Sequence, residues 1–282
     1  MRLATLLPLI LAAGCSRPSS SSGEQPTVPA VALFVVSGHN QAFDGNPSTS
    51  YLQFDAGPEI VSALQSYGLT TWVGYFVDDA FSVEGYGGFL SLIQSMKWVR
   101  DHWSRFGTRV VVVAHSHGGV WANAAIESVP DLDVACQVNL DTSSYGWAIV
   151  GHDAQDGYIG GDPRDEFDIP YLTYYPDYPN VPSDQTSAYD LEDVVFSNVV
   201  YTLEVRSGDS LDGIEWFDEK WNIRVDGQVD GLYGYYSATS HEEVHQAGGT
   251  TLGYVDTWIV DRLFNGFAAS STLGSPARRL DR

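Results

Sequence analysis

From Val31 onward the chain alternates between short unbroken apolar runs and longer stretches in which apolar residues return every three or four positions. Val31 to Val36 is a continuous, β-branched run that stops at Ser37-Gly38, the pattern of a parallel strand buried on both faces. Gly57-Pro58-Glu59 then puts a proline and an acidic residue in the first turn of a helix, with Ile60, Leu64 and Tyr67 repeating at helical spacing. Thr70 to Val77 reads as a second strand, and Gly87 to Trp103 as a helix with Leu90, Ile93, Met96 and Trp98 mostly inward. Arg109 to Ala114 is the third strand, and the helix after it stops at Val129-Pro130, because the residue before a proline is pushed out of helical geometry. Val134 to Leu140, Asn198 to Val205 and Gly231 to Tyr236 are further strands, while Leu252, Val255, Ile259 and Leu263 mark a closing helix. Such alternation predicts an α/β fold, a mostly parallel sheet with helices on both faces, and no internal repeat interrupts it.

One segment breaks the rhythm. Between Asp141 and Val194 lie over fifty residues rich in Tyr, Pro, Gly and Asp, including YLTYYPDYPNVP. Connections of this length without periodic structure are often lids or binding loops, so 142–194 is read as an inserted cap or loop region within a domain spanning 31–267, followed by a polar tail at 268–282.

Ahead of the domain, MRLATLLPLILAAGC has a basic second residue, an apolar run from Leu3 to Leu11 and a close of small residues before Cys15. That is the build of an export signal, with an apolar run too short to stay as a bilayer-spanning helix. Leu11-Ala12-Ala13-Gly14-Cys15 resembles a bacterial lipobox, with Ala12 where leucine is usual. The resemblance implies that 1–15 is removed up to an acylated Cys15, attaching the protein to the cell envelope, on the periplasmic side of the outer membrane, with simple secretion as the alternative. Residues 16–30, SRPSSSSGEQPTVPA, have the composition of a flexible tether.

Composition narrows the partners. A chain of 282 residues with 44% apolar content suffices for one large core, and a net charge of −22 repels phosphate backbones, which excludes nucleic acid. The only other cysteine, Cys136, lies in the apolar run VACQVNL and reads as a small buried hydrophobe.

The chemistry concentrates in VVVVAHSHGG, from Val110 to Gly119. His115 and His117, one residue apart at a strand end, would suit a metal ion, since alternate strand-end imidazoles converge. Ser116 between them would suit a nucleophile. A serine among small residues at a sharp strand-to-helix turn has its hydroxyl exposed above the sheet edge, and the helix N-terminus favours the negative charge of a tetrahedral oxyanion. Ala114-His115-Ser116-His117-Gly118 fits G-x-S-x-G with alanine for the first glycine.

On these residues the sequence resembles the α/β-hydrolase superfamily, and within it the lipases and esterases, over most of the chain from Val31 to about Phe264. The resemblance implies the α/β-hydrolase fold, a Ser-His-Asp set with Ser116 as nucleophile, no cofactor, and a carboxylic ester substrate, small or lipidic. VVSGHN after the first strand resembles the loop that completes the oxyanion hole, so that His39 or its neighbour Asn40 would donate one backbone N–H and His117 the other. In SATSHEEVHQ, His241 stands where the family keeps its general base; it is preferred over His245, which would sit one turn into a helix. Two places compete for the acid. Asp141 ends the strand VACQVNL in the position of a pancreatic-lipase-like acid and is preferred, while Asp209 and Asp212 in RSGDSLDG follow the next strand, where most of the superfamily keeps it. Two rival readings stand beside this one. A zinc hydrolase built on His115 and His117 is weakened by Gly118-Gly119, where an H-x-H-x-D-H motif would continue. A lipoprotein that keeps the fold and binds a ligand or partner without catalysis is the other.

Overall fold

The computed structural model describes residues 27–38, 50–78, 86–142, 193–208, 221–265 and 278–279. The proposed signal, most of the tether and nearly all of the 142–194 insertion lie outside the described residues. The strands are β1 (Val31–Ser37), β2 (Thr71–Val77), β3 (Arg109–His115), β4 (Val134–Leu140), β5 (Val194–Val195), β6 (Val199–Arg206), β7 (Ile223–Arg224), β8 (Leu232–Tyr236) and β9 (Arg278–Arg279). The α-helices are α1 (Ala56–Ser66), α2 (Phe89–His102), α3 (Gly118–Glu127) and α4 (Thr250–Asn265).

Six strands run parallel in the order β2-β1-β3-β4-β6-β8. Arg278 and Arg279, within the stretch read as a tail, pair antiparallel with Gly234 and Tyr233 at the β8 edge, and β5 and β7 form a separate two-stranded pair. The chain steps outward from β1 to β2, then returns to place β3 on the other side of β1. Open α/β sheets bind ligands at such a reversal, beyond the carboxyl ends of the strands.

Strand alternation sorts the core into two layers. Ala32, Phe34 and Val36 of β1, with Val110, Val112 and Ala114 of β3, pack beneath α2 and α3. Val31, Leu33 and Val35, with Val111 and Val113, pack against α1 and α4. Every residue of β1 is buried, which is why its sequence is an unbroken apolar run rather than an alternating one. Burial of each large side chain contributes about 1.5–3 kcal/mol, so the two layers hold the sheet centre firmly. Trp121, wholly buried on α3, meets Phe89 of α2 edge to face at 5.3 Å.

Two helix readings need correction. On α2 the inward stripe is Phe89, Leu92, Met96 and Val99, whereas Leu90 and Ile93 are half-buried and Trp98 is exposed. Trp98 stacks on His102 at 4.7 Å and meets Trp103 edge to face at 4.4 Å, so a surface aromatic cluster accounts for it. Tyr67 falls just past the end of α1, exposed and 5.8 Å from Phe264.

Candidate active site

Ser116, His241 and Asp141, all singled out from the sequence, gather along the carboxyl edge of the sheet together with residues that were not. Gly38 follows β1, Asp78 follows β2, Ser116 follows β3, Asp141 follows β4, Ser207 follows β6 and His241 lies in the turns after β8. The Ser116 amide donates to the Leu140 carbonyl at 3.2 Å, and its own carbonyl accepts from Gly119 N at 3.1 Å, so the chain leaves the sheet and enters α3 within one turn. Ser116 has φ 54°, a left-handed conformation that non-glycine residues rarely hold.

Glycines permit the tightness of this turn. A Cβ on Gly38 would stand 2.6 Å from Ser116 Cβ and 2.9 Å from His117 N. One on Gly118 would stand 2.5 Å from the Val36 carbonyl oxygen, so α3 sits against the end of β1 only because no side chain intervenes. The α3 N-terminus thereby lies beneath Ser116, with the field of its N–H groups directed at the hydroxyl's surroundings.

His241 Nε2 lies 3.0 Å from Ser116 Oγ, and His241 Nδ1 lies 2.6 Å from Asp141 Oδ2. The other carboxylate oxygen of Asp141 accepts the Ser207 N–H at 2.7 Å. Since a carboxylate only accepts, Nδ1 of His241 carries the proton and Nε2 presents its lone pair to the serine hydroxyl. Asp141 is buried and, like Ser116, left-handed, with φ 45°. Burial alone would raise its carboxyl, but the hydrogen bonds from His241 and Ser207 and the attraction of the imidazole outweigh it and leave the group below its ordinary range. The arrangement is therefore a fixed anion, an oriented imidazole and a hydroxyl in line.

The remaining histidines separate in role. His115 is buried beneath the site, its Nε2 at 3.0 Å from the His241 carbonyl oxygen and its Nδ1 on the Tyr51 hydroxyl. His117 turns instead toward Asp78, Nδ1 to Oδ2 at 3.2 Å. The two rings thus engage different partners, and among the described residues no group of three or more His, Cys, Asp or Glu side chains is placed to hold a metal ion. His245 is buried in a turn before α4 and not in a helix, 3.3 Å from Asp55, with its ring tilted against Tyr51 and edge to face with His115. His39, Asn40, Asp209 and Asp212 lie outside the described residues, as does Cys15. Cys136 packs in the α1–α4 layer, its thiol pushed up to about 12 by burial. Tyr51 and the Ser207 amide carry no sequence signal, and only the fold brings them to the site.

A mostly parallel sheet flanked by helices, with a serine raised on the turn after a central strand, is the α/β-hydrolase architecture. No protein-family model and no curated protein matches the sequence. Among solved structures the chain is similar to a bacterial heroin esterase, at 13% identity and a TM-score of 0.44, covering 86% of this chain and 77% of that one. It is also similar to the Francisella virulence factor BioJ, at 11% identity and a TM-score of 0.45, over 84% and 78% of the two chains. For the Pyrococcus furiosus esterase Pf2001 the identity is 12% and the TM-score 0.44, over 83% and 80%.

Proposed function

We propose that the protein is an exported, lipid-anchored serine hydrolase that cleaves carboxylic esters through an acyl-enzyme. The observation that carries the reading is the hydrogen-bonded series from Ser116 through His241 to Asp141, which continues to the Ser207 amide. Ser116 Oγ attacks the ester carbonyl carbon while His241 Nε2 takes its proton. The carbonyl oxygen becomes an oxyanion, stabilised by the α3 N-terminus and by the backbone N–H groups of His117 and His39. Collapse breaks the bond to the alkoxide, which leaves as the alcohol with the proton from His241. Water then repeats the attack on the acyl-serine, giving one proton to His241, which passes it to Ser116 Oγ as the acyl–oxygen bond breaks and the carboxylic acid departs. Asp141 keeps Nδ1 protonated and offsets the imidazolium charge in both halves.

A fluorophosphonate probe tests this reading. Labelling is expected at Ser116, and Ser116→Ala should lose label together with turnover by a factor on the order of a millionfold while melting at the parent temperature. Folded parent protein that takes no label would instead point to the non-catalytic binder.

A further inference from the structure

Beneath the base lies a second hydrogen-bonded series that the chemistry above does not use. The Gly38 N–H donates to the Tyr51 hydroxyl at 3.1 Å, Tyr51 meets His115 Nδ1, and His115 Nε2 reaches the His241 carbonyl oxygen at 3.0 Å. Donor and acceptor follow from the two ends. A carbonyl only accepts, so Nε2 of His115 carries the proton, and Nδ1 accepts from the Tyr51 O–H, whose oxygen accepts from Gly38. The directions agree at every link.

We propose that His115 is a positioning residue, whose imidazole, bonded to Tyr51 on one side and to the His241 carbonyl on the other, ties the end of β1 at Gly38 to the backbone of the general base. The inference rests on the serine-hydrolase reading above. Gly38 lies against Ser116 and opens the VVSGHN loop, while His241 stands in a turn with no regular element of its own to hold it.

The surroundings hold the link in one protonation state. His115 is 2% exposed and its ring lies 4.6 Å from both the His241 and His245 rings. Burial, reinforced by His241 and then His245, holds its imidazole well below the ordinary range, and burial likewise keeps the Tyr51 hydroxyl protonated. A neutral imidazole offers one donor and one acceptor, which is what the series requires. The Tyr51 and His115 rings also meet edge to face at 5.5 Å, so ring packing and hydrogen bonding both fix the orientation.

Three substitutions separate bonding from filling space. His115→Gln keeps a carbonyl oxygen for Tyr51 and an N–H for the His241 carbonyl, whereas His115→Phe keeps the ring and loses both bonds. Tyr51→Phe removes one oxygen atom and leaves its ring in place. Turnover of a soluble p-nitrophenyl ester, the rate of fluorophosphonate labelling and the melting temperature are measured on each full-length variant. A misplaced reacting group costs up to about a hundredfold. On that scale His115→Phe is expected to lower kcat and the labelling rate about thirtyfold, and Tyr51→Phe about tenfold, with KM within about twofold. His115→Gln should recover most of the loss. Parent-like kcat in His115→Phe, or equal losses in His115→Phe and His115→Gln, would overturn the proposal. Should His115→Phe fail to fold, Tyr51→Phe decides alone: parent-like kcat overturns the proposal and a selective loss of kcat supports it. A parent that takes no label at Ser116 overturns the underlying reading as well, so the two failures are distinct.

Discussion

Asp141 shows how one residue combines strain, burial and charge. Its backbone is left-handed, a conformation that aspartate tolerates better than most side chains because its short polar arm bonds locally. Here the arm bonds away from its own loop, to His241 and to the Ser207 amide on the neighbouring strand end. If it is the acid of the set, Asp141→Ala should lower turnover by a factor on the order of ten thousand. Asp209→Ala and Asp212→Ala should leave turnover near the parent's, and the reverse pattern, measured on p-nitrophenyl esters, would move the acid to the later loop. A folded-state carboxyl held below its unfolded value stabilises the fold above about pH 3.9. That contribution is lost as pH falls through the lower folded value.

Elements contribute by the faces they bring together, and the contact of α1 with α4 has a measurable consequence. Asp256 of α4 has an oxygen, Oδ1, without a hydrogen-bond partner among the described residues. Its carboxyl is pushed up to about 7, by burial first and by the charge of Glu59 on α1 second. Between about pH 3.9 and that value the unfolded chain has given up a proton that the folded one keeps. Stability therefore falls as pH rises through this window and is level above it. Asp256→Asn should raise the melting temperature at pH 8 and give no gain at pH 4, and a melt showing equal gains at both would refute the assignment. Hydrophobic period placed α1 and α4 in the sequence. It misplaced Trp98 because periodicity reports apolar spacing and does not show that an aromatic ring has His102 and Trp103 to cover it at the surface.

At the scale of the whole molecule, the proposed attachment to a membrane through an acylated Cys15 is open to direct measurement. Mass spectrometry of the membrane fraction should find an acylated N-terminus at Cys15; an unmodified mature chain starting elsewhere would make the protein a secreted one. The sequence alone determined the order of the six parallel strands and the four helices, because buried parallel strands and amphipathic helices each leave a local period, whereas the two-residue strands β5, β7 and β9 are too short to leave one. It also located the serine turn, since that turn needs small residues at adjacent positions, where Gly118 meets β1 and Ala114 is wholly buried. Ser116, His241 and Asp141 were each readable as candidates for the same reason, standing just past predicted strands. What the sequence left open was which partners meet. Asp141 and His241 are 100 positions apart, and His115 and His241 126 apart, so their contact follows only from β3, β4, β6 and β8 lying side by side. Tyr51 is recognisable only in the folded chain, because a hydroxyl that joins two loops leaves no period, turn signal or composition bias in the residues around it.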